Sequence, residues 1–120
     1  MNYRSNIMSP LCRWASAAVA LSFPTAGFAA DAVDAEAAIR LAKRTSCLRC
    51  HGVDKKKEGP SYSFLAARYA GKPDAEDKLV KHITSGERVK LTDGHNENHK
   101  ALQNIDPEEL RNLVRWILSQ

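Results

Sequence analysis

Cys47-Leu48-Arg49-Cys50-His51 is the densest run of reactive side chains in the sequence: two thiols three positions apart with an imidazole directly after them. At this spacing both thiols reach the two vinyl groups along one haem edge, and the adjacent histidine turns its ring beneath the plane to bind iron. Three other chemistries share a C-x-x-C core. A zinc site wants a second cysteine pair, but the only other cysteine is Cys12, far upstream. A redox dithiol of the thioredoxin kind wants a βαβ setting, which nothing around residue 47 provides. A disulfide across two intervening residues would close almost no loop and gain little. Haem attachment is the expected chemistry, with one covalent haem c as the cofactor.

The elements that must position this pentapeptide begin after a leader. Residues 1–30 read as a secretory signal. Arg4 and Arg13 provide the positive start, Trp14–Phe23 a short apolar stretch, and Gly27 and Ala29 the small residues a signal peptidase needs. Cleavage after Ala29 fits better than cleavage after Ala30, which would put Phe28 at the third position before the cut. The apolar stretch is roughly half the ~20 residues that span a bilayer, and Cys12 is expected to leave with the signal. The remaining chain, residues 31–120, is one domain of about 90 residues, a size at which a core alone is marginal and a staple is expected. Removing Arg4 and Arg13 lowers the formal charge from +4 to +2, too mild for a nucleic-acid protein. A soluble exported domain is expected.

Within that domain, Asp34–Lys43 reads as a helix, with Ala35, Ala38, Ile39 and Ala42 at helical spacing. After the motif comes a lysine-rich loop ending at Gly59-Pro60. Ser61–Ala70 and Asp74–Thr84 read as further helices, closed by Gly71 and Gly86. Residues 87–104 show no periodic element, and a loop so long in so small a domain is usually functional. The last helix has the clearest signature. Asp106 is the N-cap, Pro107 takes the first turn, Glu109 completes a capping box, and Leu110, Leu113, Val114 and Ile117 form a stripe with Trp116 beside it. No stretch alternates as a strand should, so the domain is expected to be all-α.

CLRCH, Gly59-Pro60 eight residues after the histidine, Tyr69-Ala70-Gly71, Lys78-Leu79-Val80 and the tail Arg115-Trp116-Ile117-Leu118-Ser119 together resemble the small class I cytochromes c, especially the bacterial c551/c552 type. The resemblance covers nearly all of the mature chain. It implies a small fold of about four helices around one haem, and an electron carrier rather than an enzyme. It also implies that the Pro60 carbonyl accepts the Nδ1–H of His51, orienting the ring and raising its basicity. Redox proteins are the implied partners, with a membrane quinol oxidoreductase or a periplasmic reductase as candidates, and the periplasm the implied compartment.

One departure from that family needs no alignment. Its second iron ligand is a methionine before the last helix, whereas the methionines here are Met1 and Met8, both in the leader. A replacement must come from residues 87–104. Counted back from the last helix, His99 falls at the ligand position. Counted forward from Gly86, His95 or Asn96 falls nearest, and Asn98, water or an empty position complete the alternatives. His99 is the first choice because the last helix is the firmer anchor. Imidazole in place of thioether lowers the haem potential. His82, beside the stripe of its helix, is either solvated or a haem-propionate partner. Lys55, Lys56 and Lys57 are a solvated loop face that could steer an acidic redox partner. The rival functional class is a haem protein that binds or senses O₂, NO or CO through a displaceable His or Asn. A peroxidase-like enzyme is a third reading, with no placed acid–base groups beyond these histidines.

Overall fold

The computed structural model describes residues 32–120, so the expected leader, with Cys12 and the cleavage point, lies outside the described residues. α1 (Ala35–Arg44) starts where the Asp34 side chain accepts the Ala37 N–H at 2.9 Å. α2 (Cys47–Cys50) is a single turn. α3 (Tyr62–Tyr69) is capped by Ser61, whose hydroxyl accepts the Phe64 N–H at 3.2 Å. α4 (Ala75–Ser85) ends at Gly86, and α5 (Pro107–Leu118) closes the chain. The chain is therefore mostly helical, as expected, and each helix expected from apolar spacing is present to within a residue or two of its ends.

Burial follows the same spacing. Ala38, Leu41 and Ala42 of α1 meet Leu113, Val114 and Ile117 of α5, and the small α1 residues let the two helices approach closely. Leu79 and Ile83 of α4 join from the side. Asn112 locks the start of α1 to α5: its side chain accepts the Asp34 N–H and donates to the Asp34 carbonyl, both at 2.8 Å. The exposed side of these helices is stitched by ion pairs, Arg111 and Arg115 both reaching Glu76.

Two details differ from the sequence-based expectation. Residues 87–104 contain a short antiparallel hairpin, β1 (Arg88–Lys90) against β2 (Asn96–Asn98), with Val89 opposite Glu97. Strands of three residues with one half-buried side chain between them are too short to show a period of two. The legible signal was the Asp93-Gly94 pair, where Gly94 takes φ 96° and Leu91 and His95 close the turn with a 2.9 Å hydrogen bond. The second difference is at the start of α5. Asp106 accepts the N–H groups of Glu108 and Glu109, at 2.9 and 3.1 Å, as an N-cap should. The Glu109 carboxylate, however, does not complete a capping box. Both its oxygens accept from one guanidinium nitrogen of Arg44, at 2.7 Å, because α1 brings that group within reach.

Candidate functional site

Ser46, in the left-handed region at φ 65°, breaks the chain out of α1 and starts the turn that carries the motif. His51 leaves that turn in an extended conformation. Cys47, Cys50 and His51 thereby face one cavity of about 460 Å³, within the usual size range of a cofactor pocket. Its apolar walls are Leu65, Leu79, Ile83, Leu102, Leu113 and Ile117, drawn from three helices and the segment before α5.

The His51 ring is fixed from three sides. Its Nδ1–H donates to the Pro60 carbonyl at 2.8 Å, leaving the Nε2 lone pair free. Tyr62 stacks on it, with ring centres 5.6 Å apart and planes 13° from parallel, and Trp116 meets Tyr62 edge-on at 5.5 Å. Gly59 lies against its edge: a Cβ there would sit 2.7 Å from the ring Cε1 and 3.0 Å from Nδ1. Burial lowers the His51 pKa, so the ring is a neutral donor. Gly59→Ala is accordingly expected to push the ring off its Pro60 contact and to cost about 1–3 kcal/mol, the usual penalty for overpacking. Thermal unfolding of the holoprotein followed at its main haem band measures this, and an unchanged midpoint would contradict it.

His99 stands across the cavity from His51, ring centres 6.1 Å apart and planes at 52°. The two rings are held alike. The Nδ1–H of His99 donates to the Lys100 carbonyl at 3.1 Å, and its pKa too is lowered, first by burial and then by His82 and His51. Its backbone N–H is tied to the Glu87 carbonyl at 2.9 Å. Two imidazoles sharing one metal, each bonded at about 2.0 Å, have ring centres roughly 6 Å apart. Two thiols on one turn, two neutral imidazoles at that separation and apolar walls are a donor set that fits a haem.

Of the other candidates, His82 and Asn98 also line the cavity, and the rest lie outside it. His95 sits at the hairpin turn, exposed, paired with Asp93 at 2.6 Å, and does not line the cavity. Asn96 lies in β2 opposite Lys90, outside the cavity lining, while Asn98 does line it. His82 is partly exposed, with its Nδ1 paired to Glu87 and its ring 4.5 Å from that of His99. Lys55 and Lys56 are exposed, and Lys57 folds back to donate to the Leu48 carbonyl at 2.6 Å. The Cys50 thiol is pushed up by burial and by the Glu58 carboxylate 3.6 Å away, the opposite of what a redox dithiol requires. Sequence reasoning did not find Tyr62, whose only signal was its place just after the Ser61 cap, or the close approach of Gly59 to the ring.

The family model described as Cytochrome c matches residues 35–120. Among solved structures, the chain is similar to the class 1 cytochrome MtoD from Sideroxydans lithotrophicus, at 55% identity and a TM-score of 0.72, covering 73% of this chain and 97% of that one. It is similar to cytochrome c2 of Rhodocyclus tenuis, 40% identical over 80 residues, which is 66% of this chain and 87% of that protein. It is also similar to cytochrome c-552 of Hydrogenobacter thermophilus, at 36% identity over 67% of this chain and 78% of that protein.

Proposed function

The chain belongs to the cytochrome c family of electron carriers, whose members hold one haem c covalently, and we propose that here Cys47 and Cys50 form the thioether links while His51 and His99 bind the iron from opposite sides. The observation that carries this reading is the pair of imidazoles 6.1 Å apart across the cavity, each with Nδ1 anchored on a backbone carbonyl and Nε2 free. When bound, the haem supplies a one-electron ferric–ferrous couple. The protein's part is to keep that couple's surroundings unchanged between oxidation states. Pro60 and Gly59 fix the proximal ring, the Lys100 carbonyl and the hairpin fix the distal one, and the aliphatic walls exclude water. Two imidazole nitrogens would hold the iron with the same donors in both oxidation states, so the protein around it would have little to rearrange. Imidazole in place of a thioether also sets the potential below that of carriers with a methionine ligand.

The compartment follows from the leader read in residues 1–30: export, cleavage near Ala29 or Ala30, and residues 31–120 working as a single-haem domain in the periplasm. Among the described residues no helix is long and apolar enough to cross a membrane. Charge supports an acidic redox partner, with a membrane quinol oxidoreductase or a periplasmic reductase as candidates. Arg40, Arg44, Lys78, Arg111 and Arg115, on α1, α4 and α5, are ion-paired, while Lys43 and Lys81 on those helices form no ion pair among the described residues. Arg49, Lys55, Lys56 and Lys57, next to the motif, have no carboxylate partner among the described residues. Their field is free to steer a negative surface toward the haem side, an effect that weakens with salt.

The test is optical. His99→Ala is expected to turn the six-coordinate low-spin spectrum high-spin, whereas His95→Ala leaves it unchanged. A low-spin six-coordinate spectrum in His99→Ala removes His99 from the iron, and a high-spin His95→Ala variant assigns the hairpin turn instead.

A further inference from the structure

The segment that bears the distal imidazole is held unequally on its two sides. Toward α4 it has several ties. The His99 N–H meets the Glu87 carbonyl and the Leu102 N–H meets the Ile83 carbonyl, each at 2.9 Å. The Ala101 methyl packs within 3.3 Å of where a Cβ on Gly86 would be. Toward the side that carries Cys47 the segment has one hydrogen bond among the described residues. The Lys100 ammonium crosses to donate to the Thr45 carbonyl at 3.0 Å, a partly buried bond between residues 55 apart in sequence. Among the described residues it is the only hydrogen bond that joins residues 99–102 to the α1–α2 corner. Thr45 is itself rigid: buried, its hydroxyl donating to the Leu41 carbonyl at 2.7 Å and lying 3.2 Å from the Cys47 sulfur.

Lys100 therefore acts on the distal ring twice. Its carbonyl accepts the His99 Nδ1–H and fixes which nitrogen faces the cavity. Its ammonium makes the hydrogen bond that an outward swing of the segment about the α4 contacts would have to break. We propose that Lys100 is a positioning residue that keeps the distal imidazole closed over the cavity, and that the Lys100–Thr45 bond sets how often the sixth iron position opens to an outside ligand. The proposal rests on the reading of His99 as the distal ligand.

Opening is measurable, because CO binds ferrous iron only where the distal ligand has left. Its uptake rate scales with the open fraction. A partly exposed charge-assisted hydrogen bond is worth a modest factor, and Lys100→Leu, which keeps an aliphatic side chain and removes the donor, is expected to speed CO uptake by the reduced holoprotein about five- to tenfold. Lys100→Arg restores a donor and is expected to return the rate to within about twofold of the original. A residue with a merely structural role would lower the unfolding midpoint of Lys100→Leu without moving the CO rate. The double variant separates the remaining case: once His99 is alanine, Lys100→Leu should add nothing to the CO rate, because the ring it positions is gone.

Lys100→Leu taking up CO at the original rate, or adding its full factor on top of His99→Ala, overturns the role assigned to Lys100. In both outcomes a high-spin, CO-reactive His99→Ala leaves the ligand reading standing. If His99→Ala instead stays six-coordinate and low-spin, the ligand reading fails first and takes the Lys100 proposal with it.

Discussion

Replacing both Cys47 and Cys50 with alanine is expected to abolish covalent haem and, with it, the folded domain. Leu65, Leu79, Ile83, Leu102, Leu113 and Ile117 face the cavity from every side. Without the haem each of these side chains loses the packing on one face and a cavity of about 460 Å³ is left empty, and emptied core space costs stability in proportion to its volume, against a total stability of roughly 5–15 kcal/mol for a domain of any kind. The cavity is too large a share of so small a core to stand open. The variant should show no haem stain after denaturing electrophoresis, where only covalently bound haem survives, and should lose most of the helical circular dichroism of the holoprotein. A colourless chain that keeps its helices would mean that the packing of α1 on α5 alone holds the fold. Haem that stays covalently attached would mean that the links are made elsewhere.

The second large effect is on the potential. His99→Met restores a thioether at the position where relatives of this kind are expected to carry one, and should raise the reduction potential by on the order of a hundred millivolts, a fraction of the ~0.8 V over which axial ligands move haem. The direction follows from donor strength: imidazole favours the ferric state, and a thioether favours the ferrous one. The geometry favours the exchange, because the His99 backbone is tied to Glu87 and the residue already faces the cavity. Titration against redox dyes measures the shift. A potential that does not move, or that falls, would show that residue 99 does not reach the iron.

How much of this could be read beforehand depended on whether a feature was local in the chain. The motif, the Gly59-Pro60 pair and the α5 stripe are short-range patterns, and each reappears in the structure as the cavity floor, the His51 anchor and the buried face of the last helix. The hairpin escaped because its strands are three residues long and nearly all exposed, so no burial pattern marks them. Asp106 three residues before Glu109 reads locally as a capping box. The actual partner of Glu109, Arg44, lies 65 positions away, beyond any local pattern. The Lys100–Thr45 bond and the stacking of Tyr62 on His51 belong to the same class of long-range contact. The choice between His99 and His95 could be argued only by counting from one helix or the other. The hairpin explains why the two counts disagree, since its turn carries His95 outward while its second strand returns the chain to the cavity at His99.

The central claim is that the iron is held between two imidazoles in both oxidation states, and the optical spectrum of the reduced holoprotein before and after CO tests it most directly. Sharp low-spin bands in the ferric and ferrous forms, with little change on brief exposure to CO, are the predicted result. A ferrous form that is high-spin at rest and converts at once to a CO complex would contradict it, and would make the protein a binder of diatomic ligands with a free sixth position.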